Sequence, residues 1–424
     1  MLSITFVVRF FAAVVGIATL GGNLSLFLLY SDNNDTPSAI ATTSDKTDAA
    51  MKQTTTWNQN VLDIIPQERK SQIKEEPEDQ ETDIVLEEDE DPQEGNTPPP
   101  VSLKEGQERI LAVFSDAGVE LDNATLQSLP SWNEIVRNIG EAPRIYGLDR
   151  CENFRATVPA VQRMVGCCGM FNSGTNLLMR LMKENCKIPE RIDYYGWNGT
   201  FEKWGMGPGD AHGMRWQVPW GKHTAAKYRD AHSTKKASDI VKESVLPIVA
   251  IRNPYVWMKS MCKSGYTAKW PHGPKCPHLV HSAASMTPTN LTVSYGRFED
   301  SFDSLAHLWN GWYHQYWKEA DYPFLMVRFE DLIFHAKNVT TQICHCAGGV
   351  IRTDRPFFHI VKSAKDGPGH GKKEERTDMV QAWIKYGNPL PVRGDFSRVD
   401  YKASRKFLDG KLMQTFGYKH PRPN

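Results

Sequence analysis

Apolar residues along this chain fall into short unbroken runs that alternate with stretches of helical spacing. Arg163 to Met170 (RMVGCCGM) has strand length, and Thr175 to Asn185 follows it with helical periodicity. The couple recurs: Val245 to Ile251 (VLPIVAI) predicts a strand, and Pro254 opens a helix behind it. Phe324 to Val327 predicts another strand, with a helix from about His335 to Cys344 after it. Phe302, Leu305, Leu308, Trp309, Trp312 and Tyr316 line one face of a long helix. Upstream, residues 106–158 read as a small helical segment. There Ile110, Leu111 and Phe114 repeat at helical spacing, Asn123 caps a second helix and Pro130-Ser131 starts a third. No internal repeat is evident. Alternating strands and helices predict an α/β fold over residues 159–424, a mostly parallel sheet flanked by helices.

The N-terminus follows another pattern. Residues 10–30 (FFAAVVGIATLGGNLSLFLLY) carry no charge, and a helix of that length crosses a bilayer. A cleaved signal peptide is the competing reading, with Gly21 and Gly22 near a cut site. Apolar character continuing through Leu29 favours an uncleaved anchor. Arg9 before the span and acids after it place residues 1–9 in the cytoplasm and the rest in the secretory lumen. Asn23-Leu-Ser falls inside this span and is disregarded as a glycosylation signal.

Composition sharpens the division. The whole chain balances 50 Lys and Arg against 50 Asp and Glu, yet residues 31–105 hold 19 acids and 6 bases. Residues 106–424 hold 31 acids and 43 bases. The acidic segment, rich in Thr, Gln and Pro and closed by Pro98-Pro99-Pro100, reads as a disordered stem. Eleven of the twelve Trp lie beyond it and support a large core there. Glycosylation signals at Asn34, Asn123, Asn198, Asn290 and Asn338 fit a luminal chain. Eight Cys permit disulfides there; Cys262 with Cys276 is the first pairing expected, and Cys167 and Cys168 read as buried thiols. Positive charge spread through a luminal domain does not predict a nucleic-acid partner.

Two short stretches carry chemistry. Gly169 to Asn176 (GMFNSGTN) lies between a strand and a helix, where glycines and free N–H groups receive an anion. A nucleotide-hydrolysing P-loop continues with Lys and then Ser or Thr, but Thr175 and Asn176 occupy those places. A magnesium-dependent kinase or ATPase is therefore not expected. In Arg252-Asn253-Pro254, after the second strand, Asn253 caps a helix that carries Ser260. Guanidinium and hydroxyl at that spacing can clamp a phosphate.

Together these stretches resemble the sulfotransferase family, whose donor is 3′-phosphoadenosine 5′-phosphosulfate (PAPS). The resemblance spans about residues 160–420 and implies a P-loop-like sulfotransferase fold. It implies that Ser173, Gly174, Thr175 and Asn176 bind the 5′-phosphosulfate, and that Arg252 and Ser260 bind the 3′-phosphate. Val327 to Leu332 (VRFEDL) also resembles the family, as does Phe407 to Tyr418, which is similar to its closing helix. Anchor and stem match the Golgi membrane branch. The family places Lys or Arg before its Ser/Thr-Gly; here that position is Asn172. Another base then has to supply the cation, and Lys222 is a better placed candidate than Arg180 or Lys183. A chain that binds donor without transferring is the alternative.

The implied reaction is attack of a glycan hydroxyl, or less favourably a protein tyrosine, on sulfur. It needs a general base and cations around the sulfuryl oxygens, and requires no metal. The resemblance places the base between the two motifs, where Asp193, Glu202, Asp210, His212 and His223 lie among Trp197, Trp204, Trp216 and Trp220. His223 is preferred, with Lys222 and Trp220 beside it in WGKH. His272, Cys276, His278 and His281 match no standard zinc spacing and read as a disulfide with surface imidazoles. Asp366 to Lys373 (DGPGHGKK) resembles the family's lid over the nucleotide, with an ordinary exposed loop as the other reading. The expectation is a Golgi membrane-anchored sulfotransferase; the alternative is a non-catalytic luminal glycan-binding or scaffold relative.

Overall fold

The apolar runs become the middle of a five-stranded sheet. The computed structural model describes residues 103–196, 211–237, 239–273, 276–365, 376–387 and 396–421. The apolar span 10–30, nearly all of the stem, Asn198, Trp197, Glu202, Trp204, Asp210 and the stretch 366–373 lie outside the described residues. Strand β1 is Ile145–Tyr146, β2 Met164–Gly169, β3 Met214–Arg215, β4 Val245–Ile251 and β5 Leu325–Arg328. They lie in the order β1-β5-β4-β2-β3, with β1 antiparallel at one edge and the others parallel.

Every residue of β2, β4 and β5 is buried, as parallel strands covered on both faces must be. Alternate side chains point to opposite faces. Cys168, Val249 and Ile251 join a core with Trp257, Trp309 and Trp312. Cys167, Ile248 and Ala250 join a second with Leu178, Met182 and Ile343. Cys167 and Cys168 are buried thiols, and burial pushes Cys167 up to about 12.

The helices are α1 Gln107–Asp116, α2 Asn123–Ser128, α3 Trp132–Asn138, α4 Cys151–Thr157 and α5 Thr175–Asn185. There follow α6 Pro189–Tyr195, α7 Pro254–Lys263, α8 Leu305–His314, α9 Phe329–Phe334 and α10 Ala336–Cys346. The last are α11 Met379–Gly387, α12 Arg398–Phe407 and α13 Gly410–Thr415. Among the described residues no helix is long and apolar enough to cross a membrane. The N-terminal helices share a core with the rest, where Ile110, Phe114 and Ile135 meet Phe334 and Trp383.

Several local expectations change. Asp122, not Asn123, caps α2, because its carboxylate accepts the Thr125 N–H at 2.7 Å. Ser131 does cap α3, in a reciprocal pair with Glu134. Phe302 ends a strand, Phe298–Phe302, instead of entering the long helix; Ser304 caps α8 and breaks the run. That strand pairs with Leu291–Tyr295 across a two-residue turn, and Ala268–Lys269 joins them. The closing stretch Phe407 to Tyr418 is not one helix, since Asp409 stops the chain after α12 and caps α13.

Three disulfides are present, compatible with a luminal or secreted chain: Cys151–Cys346, Cys186–Cys344 and Cys262–Cys276. The last is the pairing expected from sequence. Asn123, Asn290 and Asn338 are exposed. Among the described residues no group of His, Cys, Asp or Glu could hold a metal ion.

The chain leaves β2 for β3 on one side of it and then returns to β4 on the other. This reversal opens a crevice at the carboxyl ends of β2 and β4, where open α/β sheets take ligands.

Candidate active site

Gly169 ends β2 beside Ala250 of β4, so the loop 169–176 and the Arg252 turn emerge side by side. Gly174 precedes α5 at φ 93°, and a Cβ there would overlap the Phe329 ring. Only glycine satisfies both demands. The eleven-residue α5 then starts at Thr175 and leaves its first N–H groups without helical partners.

Arg252 is 6% exposed and held on several sides. Nη1 donates to the Asn172 carbonyl at 2.8 Å and to Ser260 Oγ at 3.2 Å. Nη2 donates to the Tyr386 hydroxyl at 2.8 Å, and the guanidinium lies 4.4 Å over the Phe329 ring. Among the described residues its Nε–H has no partner. Behind it, Glu330 accepts the Asn253 N–H at 3.1 Å, and Asn253 Oδ1 caps α7. Arg328 and Asp331 pair at 2.6 Å in the interior. The stretch Val327 to Leu332 thus braces the Arg252 turn from below.

Lys222 reaches across from the β3–β4 connection. Its Nζ donates to Asn176 Oδ1 at 2.8 Å and lies 3.6 Å over the Trp216 ring. Burial, with Lys183 adding repulsion, lowers this ammonium to about 8. His223 Nδ1 is 2.7 Å from the Gly169 carbonyl. A carbonyl only accepts, so Nδ1 carries the proton and Nε2 keeps a lone pair in the neutral ring. Burial, reinforced by Lys222, depresses the imidazole to about 4. The ring is thus held neutral, with the Nε2 lone pair available to a proton at the cost of some basicity.

Asn172, Gly174, Thr175, Asn176, Lys222, His223, Arg252 and Ser260 line one cavity of about 500 Å³. Cavities of roughly 300–1,000 Å³ hold small ligands and cofactors. Seven Lys or Arg side chains line it against one acid, Asp378. That balance suits a ligand with several negative charges.

Some expected residues take other roles. Ser173 is fully buried, and its hydroxyl donates to the Met170 carbonyl at 2.7 Å, so it shapes the turn and does not face the cavity. The Asn172 amide donates to Ser264 O at 2.9 Å and Ser260 O at 3.3 Å. It ties the loop to α7, and the cation near Asn176 comes from Lys222. Trp216 lines the cavity, whereas Trp220 is core, bonded to Tyr316. His212 is buried and Asp193 exposed, and neither lines the cavity. Cys276 of the His272 cluster is spent in its disulfide.

Other residues had no motif to reveal them. Tyr386 meets Arg252 from 134 positions away. Burial opposes its ionisation, but Arg252 and Lys385 outweigh it and hold the phenol below its usual value. Lys365 is lowered by burial and by Arg252 beside it. The excess of Lys and Arg after residue 106 was the sequence signal for such cations, though not for their positions.

Comparison with protein-family models, with curated proteins and with solved structures finds no match for this chain.

Proposed function

We propose that the chain transfers a sulfuryl group from PAPS to a hydroxyl of a glycan in the Golgi lumen. The observation that carries the reading is one cationic cavity in which Arg252 with Ser260, and Lys222 with the start of α5, flank a neutral His223. Arg252, Ser260 and Tyr386 would hold the 3′-phosphate through charge-assisted bonds. The N–H groups opening α5, with Thr175 and Asn176, would hold the 5′-phosphosulfate.

The acceptor oxygen forms a bond to sulfur as the bond from sulfur to the bridging oxygen breaks. The acceptor's proton passes to His223 Nε2. The electron pair of the broken bond leaves on the 5′-phosphate of adenosine 3′,5′-bisphosphate, and Lys222 offsets that charge. Disulfides and exposed glycosylation signals support the lumen, and the 10–30 span would provide a single-pass anchor.

Incubating the full chain with ³⁵S-labelled donor and a glycan mixture tests the reading. Label in the glycan supports it. Binding of the bisphosphate without transfer would favour the non-catalytic relative, for which Asn172 at the usual cation position argues. Absence of both would remove the donor site.

A further inference from the structure

Beside His223 stand two stacked aromatic rings, Phe171 and Tyr266, to which the proposed donor contacts assign no role. The Phe171 ring lies 4.7 Å from the His223 ring at 48°, and Tyr266 stacks on Phe171 at 5.1 Å and 14°. Phe171 is 7% exposed, but Tyr266 is 44% exposed and lines the same cavity as His223. The base therefore stands at the end of a stepped aromatic shelf whose outer ring is open to solvent.

The shelf is held in place at a conformational cost. Tyr266 has φ 54°, a left-handed backbone that bulky side chains rarely adopt and that tends to mark functional positions. Its loop is fastened by the Asn172 amide on the Ser264 carbonyl, the Ala268 N–H on the Gly265 carbonyl, and the Cys262–Cys276 disulfide. Lys263, exposed and on the cavity wall, adds positive charge at this edge.

Resting on the transferase reading above, we infer that Phe171 and Tyr266 form the acceptor subsite, with Tyr266 taking the apolar face of a pyranose in an acidic glycan. A pyranose stacks one C–H face on an aromatic ring while its hydroxyls remain directed at solvent and at a base. Lys263 matches a carboxylate or sulfate on the same or the next sugar.

The test uses the full chain in detergent with three probes: a uronic-acid-containing hexasaccharide, a neutral hexasaccharide and an acidic tyrosine peptide. Alanine is strained at φ 54°, so the informative variants are Tyr266→Asn, tolerant of that backbone, and Tyr266→Phe. Tyr266→Asn should raise KM for the uronic hexasaccharide about tenfold with kcat within about twofold, while Tyr266→Phe stays at wild type. Lys263→Gln should weaken the uronic probe and leave the neutral one alone. Unchanged KM in Tyr266→Asn, or transfer to the peptide alone, would overturn the subsite. If the wild type binds no bisphosphate, the transferase reading fails by itself. The shelf is then decided by saturation-transfer NMR with the uronic hexasaccharide, where loss of signal in Tyr266→Asn supports it and retention overturns it.

Discussion

Arg252 and Lys222 bring two kinds of positive charge to one cavity, and they should fail in different ways. Arg252 is a fixed fork, with separate nitrogens on Ser260 and Tyr386. Arg252→Ala should weaken adenosine bisphosphate binding by roughly tenfold to a hundredfold, the worth of a charged hydrogen bond. Arg252→Lys should recover little, because a point charge cannot span both partners. Lys222 is a titrating cation at about 8. It is charged below that pH and neutral above it, and a bound phosphate favours the charged form. Affinity for the bisphosphate should therefore fall as pH rises above about 8, by up to about tenfold per unit. The ligand's phosphates, with a second pKa of about 6, are already ionised there. Lys222→Arg should make the profile shallower near pH 8 while leaving the slope that Lys365 and Tyr386, both also lowered, add at higher pH, and calorimetry at pH 7, 8, 9 and 10 measures it. A wild-type profile flat over that range would remove Lys222 from the site. His223, at about 4, stays neutral over the same range and adds no slope of its own.

At the scale of elements, the loop before α5 and the turn before α7 are coupled through Phe329, which lies under Arg252 and against Gly174. A methyl at Gly174 would push that ring while imposing φ 93° on a residue with a Cβ. Gly174→Ala should cost about 1–3 kcal/mol of stability in urea titration and also weaken bisphosphate binding. Loss of stability with intact binding would show that the ring moves independently of Arg252. The strands and helices around this site were legible because β2 and β4 are unbroken apolar runs and α5 has strong helical spacing. Asn253 and Pro254 announced α7 as plainly. The hairpin Leu291–Tyr295 with Phe298–Phe302 was missed although Leu-Thr-Val-Ser-Tyr alternates strictly and a Gly-Arg turn follows. Aromatic residues at near-helical spacing drew Phe302 into the wrong element. Within the site, the residues that the two loops bring to one cavity were legible from strand–turn–helix order, their ligand roles only from the family resemblance. Ser173 was not, because its hydroxyl is consumed inside its own turn, and Tyr386 was not, because contact across 134 positions leaves no local trace.

Over the whole described molecule, two of the disulfides converge on α10. Cys346 holds α4 from 195 positions away, and Cys344 holds Cys186, directly after α5, from 158. Cross-links closing loops of that length restrict the unfolded chain strongly, by about 5 kcal/mol for either alone in the chain-entropy description and by less together because one loop lies inside the other, with 2–5 measured for many native bridges. The Cys186–Cys344 bond also fixes the far end of the helix whose first turn is assigned to the phosphosulfate. Opening it should loosen the site as well as the fold. A reductant that opens both long-range bridges should lower Tm by about 10 °C or more, since about 1 kcal/mol moves a domain of this size by 2–4 °C. The pair Cys186→Ser with Cys344→Ser should reproduce part of that fall and weaken bisphosphate binding. The pair Cys262→Ser with Cys276→Ser opens a bridge that spans only 14 residues, and it acts on the Tyr266 loop. It should move Tm much less and affect the acceptor KM before donor binding. Differential scanning fluorimetry beside bisphosphate calorimetry separates the two cases. An unchanged Tm after mass spectrometry has shown both long bridges open would mean that the sheet and its two cores hold this fold without them.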